Sequence, residues 1–159
     1  MAQFEPLCLA QTDRNHWHKS NRNTQSNLTK TDLNRKNIPE ILKVHLYLTN
    51  LTKNLTEQNK RSFSSKYLHF HLPDLFFIYD TRAVKAIGLL NINLQDEYKQ
   101  QIDIKAVDKE YASFFYKCFA KKTNLENQFN RKISTRHFDN ILMRVVELND
   151  EKTQQPFSI

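Results

Sequence analysis

Several carboxylates, histidines and arginines in this sequence could do chemistry, and Asp80 is singled out by its setting. It follows the apolar run from Leu75 to Tyr79 and precedes Thr81 to Leu90, a stretch of helical composition. A carboxylate delivered by a buried run can act as a base or stabilise a positive charge that develops during bond cleavage. The simpler role is a helix cap, in which Asp80 accepts hydrogen bonds from the first free backbone N–H groups of the following helix. Arg136 and Asp139 lie three apart. That spacing lets them pair on one helical turn; alternatively Arg136 orients Asp80 or holds a phosphate. His69 and His71 are two apart, so a helix points them in different directions and no zinc site is expected. His45 stands alone beside an apolar stripe and reads as a packing residue. Cys8 and Cys118 fit no metal or redox spacing, and no cofactor is expected.

The elements that must position these groups follow from periodicity. Phe63, Tyr67 and Phe70, with Leu68 alongside, predict a short amphipathic helix, which Pro73 ends by pushing Leu72 out of the α region. The run from Leu75 to Tyr79 has no helical alternation and predicts a buried crossing segment, irregular or briefly extended. Upstream, Asn37 can cap a helix beginning at Ile38, with Pro39 in its first turn, Glu40 near its positive end and a core stripe of Ile41, Val44, Leu48, Leu51 and Leu55. Residues 91–106 predict a polar connection with a turn of helix around Leu94 to Tyr98. Asp108 and Glu110 open a core helix whose apolar positions are Val107, Tyr111, Phe114, Phe115, Cys118 and Phe119, ending at Lys121 and Lys122. A basic loop is expected over residues 120–133. Ser134 or Thr135 then caps a last helix with the stripe Phe138, Ile141, Leu142, Val145 and Leu148. The expected fold class is all-α. A single compact helical domain of five to six helices covers residues 37–148, after a loose polar and basic arm over 1–36 and before a tail over 149–159.

The order helix, apolar run, Asp, helix in SSKYLHFHLPDLFFIYDTRAVKAI resembles the catalytic segment of the helix-hairpin-helix DNA glycosylase superfamily. The segments Ser65 to Phe70, Pro73 to Arg82, and Arg136 to Asp139 are more closely similar to a set of small uncharacterised bacterial proteins carrying SKxLHF, PxxFPIYDSR and RxxD. The resemblance implies a glycosylase-like helical fold, with Ser64 to Phe70 as the helix after the hairpin and Asp80 as the catalytic carboxylate. It also implies Arg82, Arg136 and Asp139 in support, and DNA as the partner. Lysine at the hairpin marks the strand-cutting members, and Lys60 and Arg61 lie nearest that position here, ahead of Lys66. The hairpin glycines are absent, since the residues before the helix are LTEQNKRSF and the chain's one glycine is Gly88. A weaker likeness, to ribonucleases of the HEPN type, rests on Arg131 and His137, a pair that could activate a 2′-hydroxyl and steady a phosphate. A non-catalytic helical module for protein interaction or regulation is the third option.

Charge narrows the partners. The chain of 159 residues carries a net charge of +7, distributed as +6 over residues 1–66, −2 over 67–116, +5 over 117–136 and −2 beyond. Two basic blocks flanking a mildly acidic middle suit a polyanion such as DNA or RNA, and Lys60, Arg61, Lys66, Lys121, Lys122, Arg131 and Lys132 are the expected contacts. Solvated lysine-rich faces would give the same composition. No apolar run approaches a membrane span, and no secretory leader precedes the polar start, so a cytoplasmic location without a membrane partner is expected.

Overall fold

The computed structural model describes residues 32–94, 96–104 and 107–154, and the helices below belong to one compact unit that begins at Leu33. Most of the expected N-terminal arm, and the end of the expected tail, lie outside the described residues. Six helices and no strand occur among them: α1 (Ile38–Thr56), α2 (Arg61–His71), α3 (Thr81–Leu89), α4 (Asp96–Ile104), α5 (Lys109–Phe129) and α6 (Thr135–Gln154). The all-α expectation holds. Helix α2 packs on α1, α3 lies against α6 and α5, and α4 pairs with α5.

The crossing segment is the spine of the core. Leu75, Phe76 and Phe77 are buried in backbone that is neither helix nor strand. Phe77 meets Phe115 and Phe138 edge-on, at centroid distances of 5.0 and 5.7 Å. Its polar groups have no ladder to join, so side chains satisfy them. His69 Nδ1–H donates to the Phe76 carbonyl at 2.8 Å, and the Tyr111 hydroxyl donates to the Phe77 carbonyl at 3.0 Å. Ser65 Oγ accepts from the Tyr79 N–H at 2.9 Å and donates to the Ser62 carbonyl at 2.9 Å.

This arrangement turns α2 over relative to its hydrophobic pattern. The buried face is Ser64, Ser65, Leu68 and His69, while Phe63, Tyr67 and Phe70 face solvent. Two serines let the helix approach the crossing backbone closely enough to bond it, which aromatic rings there would prevent. The α1 stripe is rotated for a related reason. Its buried residues are Ile38, Ile41, Leu42, His45 and Thr49, whereas Leu51 and Leu55 are exposed. His45 lies flat on Tyr111 with centroids 3.5 Å apart, and that stack carries the helix axis past the expected stripe. Asn37 makes no side-chain cap bond to α1; its Oδ1 instead accepts from the Asn34 N–H at 2.9 Å.

Three boundaries also differ from expectation. The turn near Leu94 to Tyr98 is a full helix, α4. Helix α5 continues through most of the stretch expected as a basic loop, to Phe129. Lys122 and Glu126 bridge at 2.9 Å one turn apart on that extension, and Asn130 stops it in the left-handed region at φ 46°. Lys121 and Lys122 therefore lie within the helix, not at its end. The last helix is capped by Ser134, whose Oγ accepts from the His137 N–H at 3.1 Å, and it runs past residue 148 to Gln154. Its buried residues include Phe138, Leu142 and Val146, with Leu148 exposed.

Two stability predictions follow from this core. Tyr111→Phe leaves the buried Phe77 carbonyl without its donor, and urea unfolding should show a loss of about 1–3 kcal/mol. His45 is held neutral: burial lowers its pKa from 6.5 to about 4, against the opposing attraction of Asp108. The unfolded chain therefore binds a proton that the folded chain refuses between these values, so stability falls as the pH drops from about 6.5 to about 4 and levels off below. The loss attributable to this ring is about 3 kcal/mol. His45→Phe, which keeps the stack and removes the titration, should flatten melts measured across that window.

Candidate functional site

Asp80 is placed by the end of the crossing segment and the start of α3. Its backbone is extended, and Oδ1 accepts from the Ala83 N–H at 2.9 Å, the geometry of an N-cap. Oδ2 lies 3.7 Å from Lys66 Nζ on α2. Asp139, on the first turns of α6, is half-buried beside this pair. Its carboxyl is raised above the usual carboxylate range, chiefly by burial and further by the charge of Asp80, against the pull of His69 and Lys66. The structure thus brings Asp80, Asp139, Lys66 and His69 together from three separate stretches. Arg136, one turn earlier on α6, is exposed, and among the described residues no ion pair joins it to either carboxylate. Arg82 lies 3.8 Å from Glu147, so it ties α3 to α6. Nothing in the RxxD spacing distinguishes Arg136 from Asp139 as the residue that meets Asp80; that required the α3–α6 packing.

Residues 57–60, where the resemblance leads one to expect a hairpin, join α1 to α2. Glu57 takes the left-handed conformation at φ 58° that glycine would otherwise supply, and its N–H bonds the Lys53 carbonyl at 2.7 Å. Arg61 is turned inward: its Nε donates to Asp108 at 2.6 Å, a second nitrogen meets Glu110, and the guanidinium lies 5.5 Å from the Tyr79 ring. Lys60 bonds Gln58.

The remaining expected cations gather elsewhere. A trough runs along α5, formed by two adjoining cavities of about 560 and 410 Å³ that share Arg35, Phe119, Thr123 and Asn127. The first also carries Lys121, Asn93 and Asn124; the second carries Lys122, Arg131, Lys132, Asn34 and Asn130. Glu126 is the carboxylate on this lining. Burial disfavours its charge, but the Ile133 N–H at 2.8 Å and Lys122 at 2.9 Å outweigh that and hold its pKa below the usual value. Lys122 is accordingly engaged within the fold. Lys121, Arg131 and Lys132 enter no ion pair among the described residues. Arg35 lies 5.3 Å from the Tyr98 ring. Neither Arg35 nor the asparagines stood out in the sequence, because Arg35 falls within the expected arm and asparagine is abundant throughout. His137 lies outside both linings, on the exposed side of α6.

Among the described residues, no group of three or more His, Cys, Asp or Glu side chains is placed to hold a metal ion, and no helix is long and apolar enough to cross a membrane. Comparison with protein-family models, with curated proteins and with solved structures finds no match to this chain.

The cap on α3 is open to a direct test. Asn accepts the same N–H bond as Asp, so Asp80→Asn should leave the melting temperature near that of the parent, whereas Asp80→Ala should cost about 1 kcal/mol. Equal losses in the two variants would mean that the charge facing Lys66, not the cap, is what matters.

Proposed function

We propose that this protein binds nucleic acid, holding the phosphate backbone in the trough along α5 with little dependence on sequence. The observation that carries this reading is the lining: Arg35, Lys121, Lys122, Arg131 and Lys132 converge with five asparagines, and the carboxylate among them is neutralised by Lys122 and the Ile133 N–H. Cations on a concave surface attract a polyanion, and amide groups add short-range donors to phosphate and sugar oxygens. In this reading Asp80 is a cap, and the charges of Arg61 and Arg82 serve the fold.

A second reading, a diverged DNA-glycosylase-type hydrolase, is favoured by one observation. Asp80 accepts a backbone N–H and faces Lys66, whereas burial raises the neighbouring Asp139. Two carboxylates in such different settings are what acid–base division of labour requires. Base release from damaged duplexes by the parent and by folded Asp80→Asn decides between the two: activity lost in the variant supports the hydrolase, and no activity in either leaves the binding module.

The binding reading predicts a salt signature. Lys121→Gln, Arg131→Gln and Lys132→Gln combined should weaken duplex binding across all sequences. The slope of log K against log salt should flatten by about 2 to 3, since each phosphate contact contributes about 0.9. Lys122 is kept, because its loss would strand Glu126. If neither DNA nor RNA binds the parent at low salt, the trough is a solvated face and a protein partner becomes the better reading.

A further inference from the structure

The two cavities of the trough differ in chemistry. The smaller, toward the end of α5, is bordered by Lys122, Arg131 and Lys132. The larger, of about 560 Å³, has Lys121 and no carboxylate on its lining. Its apolar wall is Leu90, Ile92, Phe119 and Ala120, drawn from the end of α3, the chain that follows it, and α5. Asn93, Asn124 and Asn127 share that lining, are exposed, and enter no side-chain hydrogen bond among the described residues. Arg35 belongs to both linings. It lies over the Tyr98 ring, which itself stacks on Tyr116 at 4.7 Å, so a guanidinium stands at the boundary between an amide-lined space and a cationic one.

We infer that the trough takes one unpaired nucleotide, with its base in the larger cavity against Asn93 and Asn124 and its phosphate in the smaller, beside Arg131 and Lys132. The donor and acceptor inventory of the larger cavity selects that occupant. A phosphodiester offers acceptors only, so it uses the N–H groups of an amide and leaves the carbonyl oxygen idle. Three amides beside an apolar wall suit instead a flat neutral group that carries both donors and acceptors on its edge, and a nucleobase is such a group. The volume lies within the range of about 300–1,000 Å³ usual for small-molecule sites. The cationic cavity that shares its wall then receives the anion to which the base is joined. In a duplex the edge of each base is committed to its partner and its faces to its neighbours, so the ligand comes from an unpaired stretch of a strand or from a free mononucleotide. The inference deepens the nucleic-acid reading and rests on it, adding to a grip on the backbone a subsite that paired bases do not enter.

The test compares a mixed-sequence single strand with its duplex by fluorescence anisotropy over a range of salt, and adds calorimetric titration with adenosine 5′-monophosphate. Asn93→Ala and Asn124→Ala combined should weaken single-strand binding at least about fivefold, as the loss of two hydrogen bonds requires, and leave duplex binding within about twofold. The salt slope should not change, because no charge is removed. Both asparagines are exposed, so the core is untouched by their replacement. Ala120→Phe, which fills the cavity from α5 without altering charge, should have the same effect where melts show it folded. Single-strand affinity within about twofold of the parent in the asparagine variant, with duplex binding intact, overturns this inference alone. Equal weakening of single strand and duplex does so too, since the amides would then serve the backbone. Adenosine 5′-monophosphate bound by the parent and not by the asparagine variant, with neither strand bound, upholds the cavity assignment with a free nucleotide as its source and removes the trough reading. If neither strands nor mononucleotide bind the parent, both fall together.

Discussion

A stretch of buried backbone with no secondary structure of its own governs this fold. An amide left unpaired in an apolar core costs about as much as a lost hydrogen bond, so residues 75–79 can cross the interior only if neighbouring side chains take the place of a ladder. His69, Ser65 and Tyr111 do so. Each comes from a helix that must then sit at a fixed distance and rotation. Helix α2 presents its polar residues to the core because the core at that point is polar. The Tyr111 hydroxyl orients α5, and the Tyr111 ring in turn carries His45 and so fixes α1.

The outward aromatic stripe is a geometric consequence of the same demand. With Ser64 and Ser65 on the inner arc of an 11-residue helix, the rings at Phe63, Tyr67 and Phe70 have only the outer arc available. Such a helix gains little from burial of its own apolar residues. It is held by hydrogen bonds to the crossing segment, by Leu68, and by the pairing of Arg61 with Asp108 and Glu110 at its first turn. The scarcity of glycine has a similar structural echo. Three non-glycine residues take left-handed conformations, Glu57, Asn91 and Asn130; asparagine tolerates that region, whereas Glu57 carries strain of about 1 kcal/mol. Gly88, by contrast, lies inside α3 with open space where a Cβ would stand.

Much of the architecture was legible from spacing. The core positions Tyr111, Phe114, Phe115, Cys118 and Phe119, the Pro73 stop and the buried FF pair all follow from patterns of apolar residues and breakers. Hydrophobic period failed where polar satisfaction decides orientation, on α2 and on the C-terminal half of α1. Polar composition was equally misleading after residue 119. The stretch AKKTNLENQF contains few large apolar residues, yet it forms helix, because its i,i+4 pair and the burial of Phe119 and Lys122 hold it. At the candidate sites, Asp80 as a cap followed from its place before Thr81. The meeting of Asp80 with Asp139, and of Arg35 with Lys121, depends on long-range packing that no local pattern encodes.

The basic residues divide by what they face. Arg61, Arg82, Lys85 and Lys122 each pair with a carboxylate from another turn or another helix: Asp108, Glu147, Asp150 and Glu126 respectively. Pairs of that kind neutralise charge locally and add little to the field outside the protein. The excess is left to residues such as Lys121, Arg131 and Lys132, which border one trough. Glu126 is essential to that excess in an indirect way. By drawing Lys122 and the Ile133 N–H onto itself, it anchors the chain after α5. Arg131 and Lys132 are thereby held beside the helix. A partly buried carboxylate can thus build a cationic surface, so long as its own charge is compensated chiefly from within the fold, here by the Ile133 N–H and Lys122 with a smaller share from Lys132.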